Sequence, residues 1–240
     1  MLLLIASLVN FSFYPGGENK LGIRTVVIDA GHGGKDPGCL GTGSHQEKHI
    51  ALAISLKLGK YIEENFKDVK VIYTRTEDVF VKLHERANIA NRNKADLFIC
   101  IHVNSSVSSK SYGTETFVMG QSKTEANLRA AQRENATILL EEDYKESYEN
   151  FDPNDPESYI AFSLVQNAFL DQSIEFASRV QTQFKERVGR HDRGVREAPF
   201  LVLHQTTMPS VLIETGFLTN KEEEKFLTSE IGQDYMASAI

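Results

Sequence analysis

Three ionisable side chains stand at the ends of apolar segments of the sequence. His32, His102 and Glu214 each come at or just after a short run of β-branched and other apolar residues, which is typical of a buried strand. If these strands are parallel neighbours, the three side chains converge at one edge of the sheet. A charged group at the end of a buried strand costs stability unless it is paired or bound to a metal. Each residue alone fits an ordinary strand end, but the recurrence favours a chemical site.

A fourth candidate, Glu47, has two interpretations. The stretch from Ser44 to Glu47 matches a helix capping box, and the residues alone favour that structural role over a ligand role. The nearby pair His45 and His49 has the i, i+4 spacing of a zinc-protease helix. Glu47, however, is two residues from each histidine, about 200° around the helix, and cannot serve a metal held by that pair. We therefore predict that His45 and His49 are surface residues.

The elements that would position these residues alternate between strands and helices. This alternation predicts an α/β protein: a three-layer α/β/α domain with a mainly parallel twisted sheet of about six strands. The apolar runs predict strands at 25–30, 69–74, 96–103, 114–119 and 210–213. The helical patterns predict helices at about 44–65, 81–93, 174–188 and 221–240.

Composition narrows the class of protein further. The 240 residues include 26 Lys and Arg against 33 Asp and Glu, and no cluster of basic residues, so we expect no nucleic-acid partner. The apolar start of the chain is shorter than the ~20 residues of a membrane-spanning helix, so we expect no integral membrane segment in the mature protein. We predict that residues 1–24 are a secretory signal remnant or an N-terminal arm, and that 25–240 form the domain. The two cysteines, Cys39 and Cys100, are interpreted as packing residues.

One segment interrupts the alternation of strands and helices. Residues 121–172 form a helical and turn-rich insertion with four basic and eleven acidic residues, which accounts for the entire net charge of −7. An acidic segment is usually a solvated surface, but this one also holds apolar stretches such as 138–140 and 159–170. We therefore predict that the insertion packs against the domain.

The motifs, taken together and in order, resemble one known family. Val-Ile-Asp-Ala-Gly-His-Gly-Gly-Lys-Asp-Pro-Gly at 27–38, Glu-Lys at 47–48, and the segments 83–91, 95–104 and 209–220 are similar to the catalytic domain of zinc-dependent N-acetylmuramoyl-L-alanine amidases of amidase type 3. These enzymes are bacterial cell-wall hydrolases. The resemblance runs from about residue 25 to residue 240, and its specificity comes from the combination of motifs.

The resemblance implies a set of site residues. It makes His32, Glu47 and His102 the ligands of a Zn²⁺ ion and Glu214 the catalytic carboxylate, and it replaces the capping role of Glu47. Two imidazoles and one carboxylate leave a fourth position for water, as in catalytic zinc sites. The bond cut would join the lactyl group of N-acetylmuramic acid to L-alanine in peptidoglycan.

Weaker expectations concern neighbouring residues and the insertion. Asn104 is expected to orient the substrate, and Arg86 to brace the fold by pairing with a carboxylate. In related enzymes that separate daughter cells, a helix of the insertion covers the zinc and offers it a glutamate until an activator protein withdraws it. The resemblance therefore implies self-inhibition, with Glu141 and Glu142 as candidate blocking residues, and a LytM-type activator.

The sequence also leads to an expected cellular location and leaves two alternative functions open. The resemblance implies an exported protein of the bacterial cell envelope, in the periplasm. The alternatives are a peptidoglycan-binding domain without turnover and another zinc peptidase or deacetylase. The first would be expected to lack one of the four key residues, and none is missing.

Overall fold

A computed structural model describes residues 22–163 and 168–240. The strands are β1 (Thr25–Ala30), β2 (Lys70–Tyr73), β3 (Leu97–Asn104), β4 (Thr114–Met119), β5 (Asp192–Ala198) and β6 (Ser210–Phe217). The helices are α1 (Glu47–Asn65), α2 (Leu83–Arg92), α3 (Glu125–Asn135), α4 (Tyr144–Ser147), α5 (Pro156–Ser163), α6 (Leu170–Glu186), α7 (Leu201–His204), α8 (Lys221–Leu227) and α9 (Glu230–Ala239). A 3₁₀ helix, Ala136–Leu140, follows α3 directly.

The six strands form one sheet in the order β2-β1-β3-β6-β4-β5. All neighbouring pairs are parallel except β4 and β6, which are antiparallel. The predicted α/β class with a mainly parallel sheet is therefore confirmed. The order places β1, β3 and β6 side by side, so their carboxyl ends lie together at one edge of the sheet.

Two apolar layers cover the two faces of the sheet. Alternate residues of β3 point to opposite faces: Ile99, Ile101 and Val103 join one core cluster, and Phe98 and Cys100 join the other. The first cluster includes buried residues of α1, α6 and α9, and the second includes residues of α2, α7 and the insertion. His102 has the same parity as Phe98 and Cys100. It therefore points toward the layer that contains the insertion.

The sequence patterns missed β5 and merged the last two helices. β5 reads Asp-Arg-Gly-Val-Arg-Glu-Ala and is half-buried at the edge of the sheet, so it has no continuous apolar run. The predicted helix 221–240 is in fact α8 and α9. Ser229 separates them, because its hydroxyl accepts a hydrogen bond from Gly232 N and caps the start of α9.

The insertion packs on the domain as predicted. Its helix α3 lies beside β5, and buried Ile138, Tyr148, Phe151 and Tyr159 join the second core cluster. Leu139 and Leu140 are exposed, so only one residue of the apolar stretch 138–140 is buried. The acidic surface of the insertion is thus held by a buried apolar face beneath it.

Some predictions fall on residues that are not described. Most of the predicted N-terminal segment 1–24 lies outside the described residues, and so do residues 164–167 of the insertion. Among the helices of the described ranges, none has the length and apolar character to cross a membrane. Cys39 and Cys100 are both free thiols.

Candidate metal centre

Three neighbouring strand ends bring the predicted residues together. His102 of β3 lies in register with Glu214 of β6, and both side chains are buried. His32 follows β1, where Gly31 N donates to the carbonyl of Ile101 at 3.0 Å and extends the pairing of β1 with β3. A side chain at Gly31 would collide with the His102 ring, since an added Cβ would lie 2.4 Å from Nε2. The glycine-rich turn therefore serves close packing around the histidines.

The backbone and ring of His32 are fixed from several sides. Its φ of 60° is in the left-handed region, which is costly for a residue with a side chain and must be compensated by its surroundings. Arg86 NH2 donates to the His32 carbonyl at 2.9 Å. The ring nitrogen Nδ1 lies 2.8 Å from Asp36 Oδ2, so Nε2 is left to face the cluster. An imidazole oriented by a carboxylate behind it is typical of a metal ligand.

Glu47 does not cap its helix, so the interpretation based on the residues alone was wrong. It is the first residue of α1, Gln46 occupies the cap position, and Ser44 has a left-handed φ of 66°. The carboxylate of Glu47 instead points away from the helix and accepts hydrogen bonds from Cys39 N at 2.9 Å and Val103 N at 2.8 Å. These bonds hold one carboxylate between the loop after β1 and the end of β3.

Four donor groups meet in one buried cluster: His32, Glu47, His102 and Glu134. His32 Nε2 lies 3.1 Å from Glu47 Oε1 and 3.2 Å from Glu134 Oε2. His102 Nδ1 lies 3.0 Å from Glu47 Oε1 and 3.1 Å from Glu134 Oε2. The donor atoms of all four residues lie within 4.8 Å of one another. Three of the four are the residues to which the sequence resemblance gave the metal.

The donor set fits a tetrahedral divalent metal ion. Bonds of 2.0–2.1 Å directed to the corners of a tetrahedron place donor atoms about 3.3 Å apart, close to the four contacts above. Nε2 of His32 and Oε2 of Glu134 are buried without a hydrogen-bond partner among the described residues. Such atoms are costly unless something binds them. The cluster is therefore consistent with a metal ion, and imidazole and carboxylate donors suit zinc.

The fourth donor, Glu134, comes from the insertion and was missed. It is the last but one residue of α3, and with it the buried face of that helix is formed by Asn127, Ala130, Ala131 and Asn135. A helical stripe of small and amide residues with one glutamate was the available signal, since charged residues are rarely buried unless paired or bound to metal. The more conspicuous apolar stretch 138–140 favoured its neighbours Glu141 and Glu142 instead.

The structure places the two predicted blocking residues away from the cluster. Glu141 is buried, but its carboxylate accepts hydrogen bonds from Leu83 N at 3.1 Å and from Tyr148 Oη at 3.0 Å. It therefore caps the start of α2 from the insertion. Glu142 is exposed. The reason is positional: the 3₁₀ helix directs the chain after Glu134 toward α2, so Glu134 is the insertion glutamate at the cluster.

Glu214 lies beside the cluster without belonging to it. Its side chain is 1% exposed, and neither carboxylate oxygen makes a hydrogen bond with the described residues. Arg133 NH2 lies 3.5 Å from Glu214 Oε1, while Nε of Arg133 donates to Glu134 at 2.8 Å. Burial raises the pKa of the Glu214 carboxyl well above its ordinary value, and the nearby Glu134 raises it further. Such a carboxyl is suited to taking up and releasing a proton.

Glu134 differs from Glu214 in its electrostatic surroundings. Burial opposes its ionisation, but His102 and Arg133 together hold the pKa of the Glu134 carboxyl well below its usual range. Glu134 is thus held as an anion directed at the cluster, whereas the raised pKa of the Glu214 carboxyl makes it take up a proton more readily than an ordinary glutamate. The neighbours of these two carboxyls therefore shift their pKa values in opposite directions.

The two weaker predictions concern residues that border the site. Asn104 Nδ2 donates to Glu115 at 2.7 Å, and its Oδ1 accepts from Arg133 NH2 at 3.0 Å. Arg86 is fully buried, pairs with Asp29 at 2.9 Å and donates to the carbonyl of His32. Asn104 is thus at the margin of the cluster, and Arg86 supports the turn that carries the first histidine.

The two histidines of the rejected zinc-protease motif stay at the surface. His45 and His49 are both exposed. His45 Nδ1 lies 2.8 Å from Glu224 Oε1, which also accepts from Gly43 N, so this histidine helps to fasten the loop before α1 to α8. Neither histidine is part of the donor cluster.

The fold and the cluster define an α/β domain with a buried His-Glu-His-Glu donor set at the carboxyl edge of its sheet. The family of N-acetylmuramoyl-L-alanine amidases, Amidase_3, matches residues 26–240. N-acetylmuramoyl-L-alanine amidase AmiA of Escherichia coli (strain K12) is 31% identical over 228 residues, which are 94% of this chain and 76% of AmiA.

Solved structures agree with the sequence comparison. The crystal structure of N-acetylmuramoyl-L-alanine amidase from Clostridium difficile 630 superposes with a TM-score of 0.67 at 30% identity, covering 91% of this chain and 92% of that one. The CwlD amidase from Clostridioides difficile, solved in complex with the GerS lipoprotein, gives 0.63 at 29% identity, covering 90% and 93%.

The chain belongs to the N-acetylmuramoyl-L-alanine amidase family. It is accordingly a hydrolase with peptidoglycan amidase activity in cell-wall remodelling. The family resemblance seen in the sequence motifs is confirmed.

Proposed function

We propose that the protein is a zinc-dependent amidase that cuts between the lactyl group of N-acetylmuramic acid and L-alanine, and that its own insertion holds it inactive. The observation that carries this proposal is the cluster of His32, Glu47 and His102, with Glu134 of the insertion as a fourth donor. The catalytic sites of zinc hydrolases have three protein ligands and one open position. In this structure the insertion directs a carboxylate to where the open position would be.

The chemistry divides between the bound ion and the residues around it. When bound, zinc polarises the scissile carbonyl and lowers the pKa of a water toward about 7. His32, Glu47 and His102 would hold the ion, and Asp36 would keep the His32 ring in position through Nδ1. Glu214, which is not in the donor cluster, would accept the proton of the attacking water and deliver it to the leaving nitrogen of L-alanine.

Self-inhibition has two contacts that support it. Glu134 approaches both histidine donors at 3.1–3.2 Å, so its carboxylate would compete with a substrate carbonyl for an ion held by these histidines. Arg133, its neighbour on α3, lies 3.5 Å from Glu214 and competes for the carboxylate that must handle the proton. Helix α3 thus contacts both the metal ligands and the proton-transferring Glu214, so activation requires α3 to move.

Activation and location follow from the same proposal. We expect a LytM-type activator protein to displace the insertion. The CwlD amidase, which has a similar fold, has been solved in complex with a protein partner, the GerS lipoprotein. The substrate, peptidoglycan, is in the bacterial cell envelope, so we propose an exported protein that acts there during daughter-cell separation, in the periplasm. Residues 1–24 would serve that export if they are a signal remnant, whereas an N-terminal arm would have no part in it.

A muropeptide digest tests the proposed reaction. Zinc-loaded wild type with an activator should release stem peptides that begin with a free L-alanine amino group, detected by mass spectrometry. Glu214→Gln should lower kcat by about 10²–10⁴-fold, the usual contribution of a general acid–base, and leave the zinc content unchanged. Lactyl-alanine linkages that stay intact after wild-type digestion would overturn the assignment.

A further inference from the structure

A wide groove opens beside the metal centre on the side of Glu214. Its volume is about 780 Å³, and it runs between α3 and the end of the sheet where β3 and β6 finish and β4 and β5 begin. The sheet side contributes Ser106, Arg193 and Phe217, and α3 contributes Arg129 and Arg133. The sheet side stays in place when α3 moves, because it is built on the strands and their loops. The sheet side of the groove, with Arg193 and Phe217, therefore persists in an active enzyme.

Arg193 of the groove and Arg196, which does not line it, share one carboxylate beside the sheet side of the groove. Arg193 Nε lies 3.4 Å and Arg196 Nε 3.9 Å from the same carboxylate oxygen of Glu115, and no other carboxylate of the described residues is within 4.0 Å of either arginine. Asn104 also donates to Glu115 and uses part of its acceptor capacity. Two guanidinium groups thus share one carboxylate, which leaves a net positive charge for an incoming anion.

Arg193 is positioned to present its planar group to the groove. Its guanidinium carbon lies 4.8 Å from the centre of the Phe217 ring, so the aromatic face supports it from one side. About a third of its side chain is exposed. A supported, partly exposed guanidinium is well suited to bind a carboxylate through two parallel hydrogen bonds.

A chain of contacts joins Glu214 to Arg193. Arg133 lies 3.5 Å from Glu214 and 3.0 Å from Asn104, and Asn104 lies 2.7 Å from Glu115, which pairs with Arg193. The residue that protonates the leaving nitrogen must touch it. The peptide bonded to that nitrogen therefore leaves on the side of Glu214, where this groove begins.

We propose that this groove receives the stem peptide and that Arg193 binds a free carboxylate of it, so that Arg193 determines specificity for acidic stems. The inference rests on the proposed amidase reaction and adds the location of the leaving group. The stem peptide carries free carboxylates on its acidic residue and at its end, whereas the sugar units of the glycan carry none once the lactyl group is in amide linkage. Carboxylate recognition thus separates the peptide side of the cleaved bond from the glycan side.

The test compares the cleavage of two soluble muropeptides by the zinc-loaded full-length chain in the presence of a LytM-type activator, which releases the proposed self-inhibition. One has free stem carboxylates, and the other has the same carboxylates converted to primary amides. Wild type should cleave the acidic muropeptide with a kcat/KM about tenfold or more above that of the amidated one, mainly through KM, because hydrogen bonds to a charged group stabilise the bound substrate. Arg193→Gln should remove most of that preference, and Arg193→Lys should retain part of it.

Controls distinguish a failure of the proposed subsite from misfolding of a variant and from a failure of the amidase proposal itself. The preference is a ratio measured on one protein preparation, so a partly unfolded Arg193→Gln sample lowers both rates and leaves the ratio readable. Arg179→Gln removes an exposed arginine that pairs with Glu175 on α6, which packs on the opposite face of the sheet from α3, and it should keep the wild-type ratio. Equal cleavage of both muropeptides by wild type would overturn the subsite alone. Cleavage of neither, by wild type or by Glu134→Gln, would overturn the amidase proposal as well.

Discussion

The edge of the sheet and the insertion deliver donors to the same cluster by different physical means. His32, Glu47 and His102 are fixed by the β1–β3 pairing and by backbone hydrogen bonds at the end of β3. Glu134 arrives on a helix outside the sheet. Next to it, Asn135 donates to the carbonyl of Pro199 at 2.8 Å, and within the next turn Thr137 donates to Asp36 at 3.0 Å.

This difference means that the three donors at the sheet edge stay in place, whereas Glu134 can leave the cluster together with α3. Moving a sheet-end donor would break the strand ladder and the core beneath it, which are the most stable parts of a domain. Moving α3 breaks a limited number of side-chain hydrogen bonds, each with a net contribution of about 0.5–1.5 kcal/mol, and separates one apolar face. A partner that binds the released form better by a few kcal/mol can shift such an equilibrium.

The largest expected effect comes from removing a sheet-end donor. His32→Ala should lower the zinc content of the purified chain well below one ion and abolish activity, because only Glu47 and His102 remain once α3 moves away, one fewer than the three protein ligands of a catalytic zinc site. His49→Ala, which alters an exposed histidine of α1, should change neither. Inductively coupled plasma mass spectrometry measures the metal. Full zinc retention by His32→Ala would remove this histidine from the ligand set.

The next effect should have the opposite sign. Glu134→Gln removes the anion that the insertion holds at the cluster, and we expect activity on purified cell wall, without an activator, to rise about tenfold or more, since each ~1.4 kcal/mol of shifted equilibrium is a factor of ten. Glu125→Gln alters an exposed glutamate of the same helix that pairs with Arg129, and it should leave the rate unchanged. A lower rate in a folded, zinc-loaded Glu134→Gln protein would make Glu134 a positive contributor to catalysis.

The smallest effect should come from the attachment of the insertion to α2. Glu141→Ala removes the acceptor of Leu83 N and Tyr148 Oη, so the insertion should open more often and the rate without activator should rise a few-fold, as expected for about 1 kcal/mol. Glu142→Ala alters its exposed neighbour and serves as the matched control. Amide hydrogen exchange across α3 should increase for Glu141→Ala only. Equal exchange in both variants would contradict this role.

The fold could be predicted wherever burial leaves a continuous apolar pattern. β1, β3 and β6 are buried along nearly their whole length, so their apolar runs revealed both the strands and the edge where their ends meet. β5 is an edge strand with four charged residues of seven, and its pattern is that of a surface loop. Pairing at the edge of a sheet depends on the neighbouring strand β4, which a local pattern does not encode.

The site was predictable in part for the same reason. His32, His102 and Glu214 were found from their positions relative to apolar runs. Glu47 was not, because its local pattern matched a capping box and its real partners, Cys39 N and Val103 N, come from other segments. Glu134 was missed because its burial depends on where α3 packs, and long-range packing of that kind leaves only a weak stripe in the sequence.

Anomalous diffraction at the zinc edge, from crystals of the zinc-loaded full chain, would locate the metal directly. We expect a single strong peak bound by His32, Glu47, His102 and, without activator, Glu134, with Glu214 close by but not bound. A peak bound by other residues, or no peak at this cluster in a zinc-loaded and active protein, would contradict it.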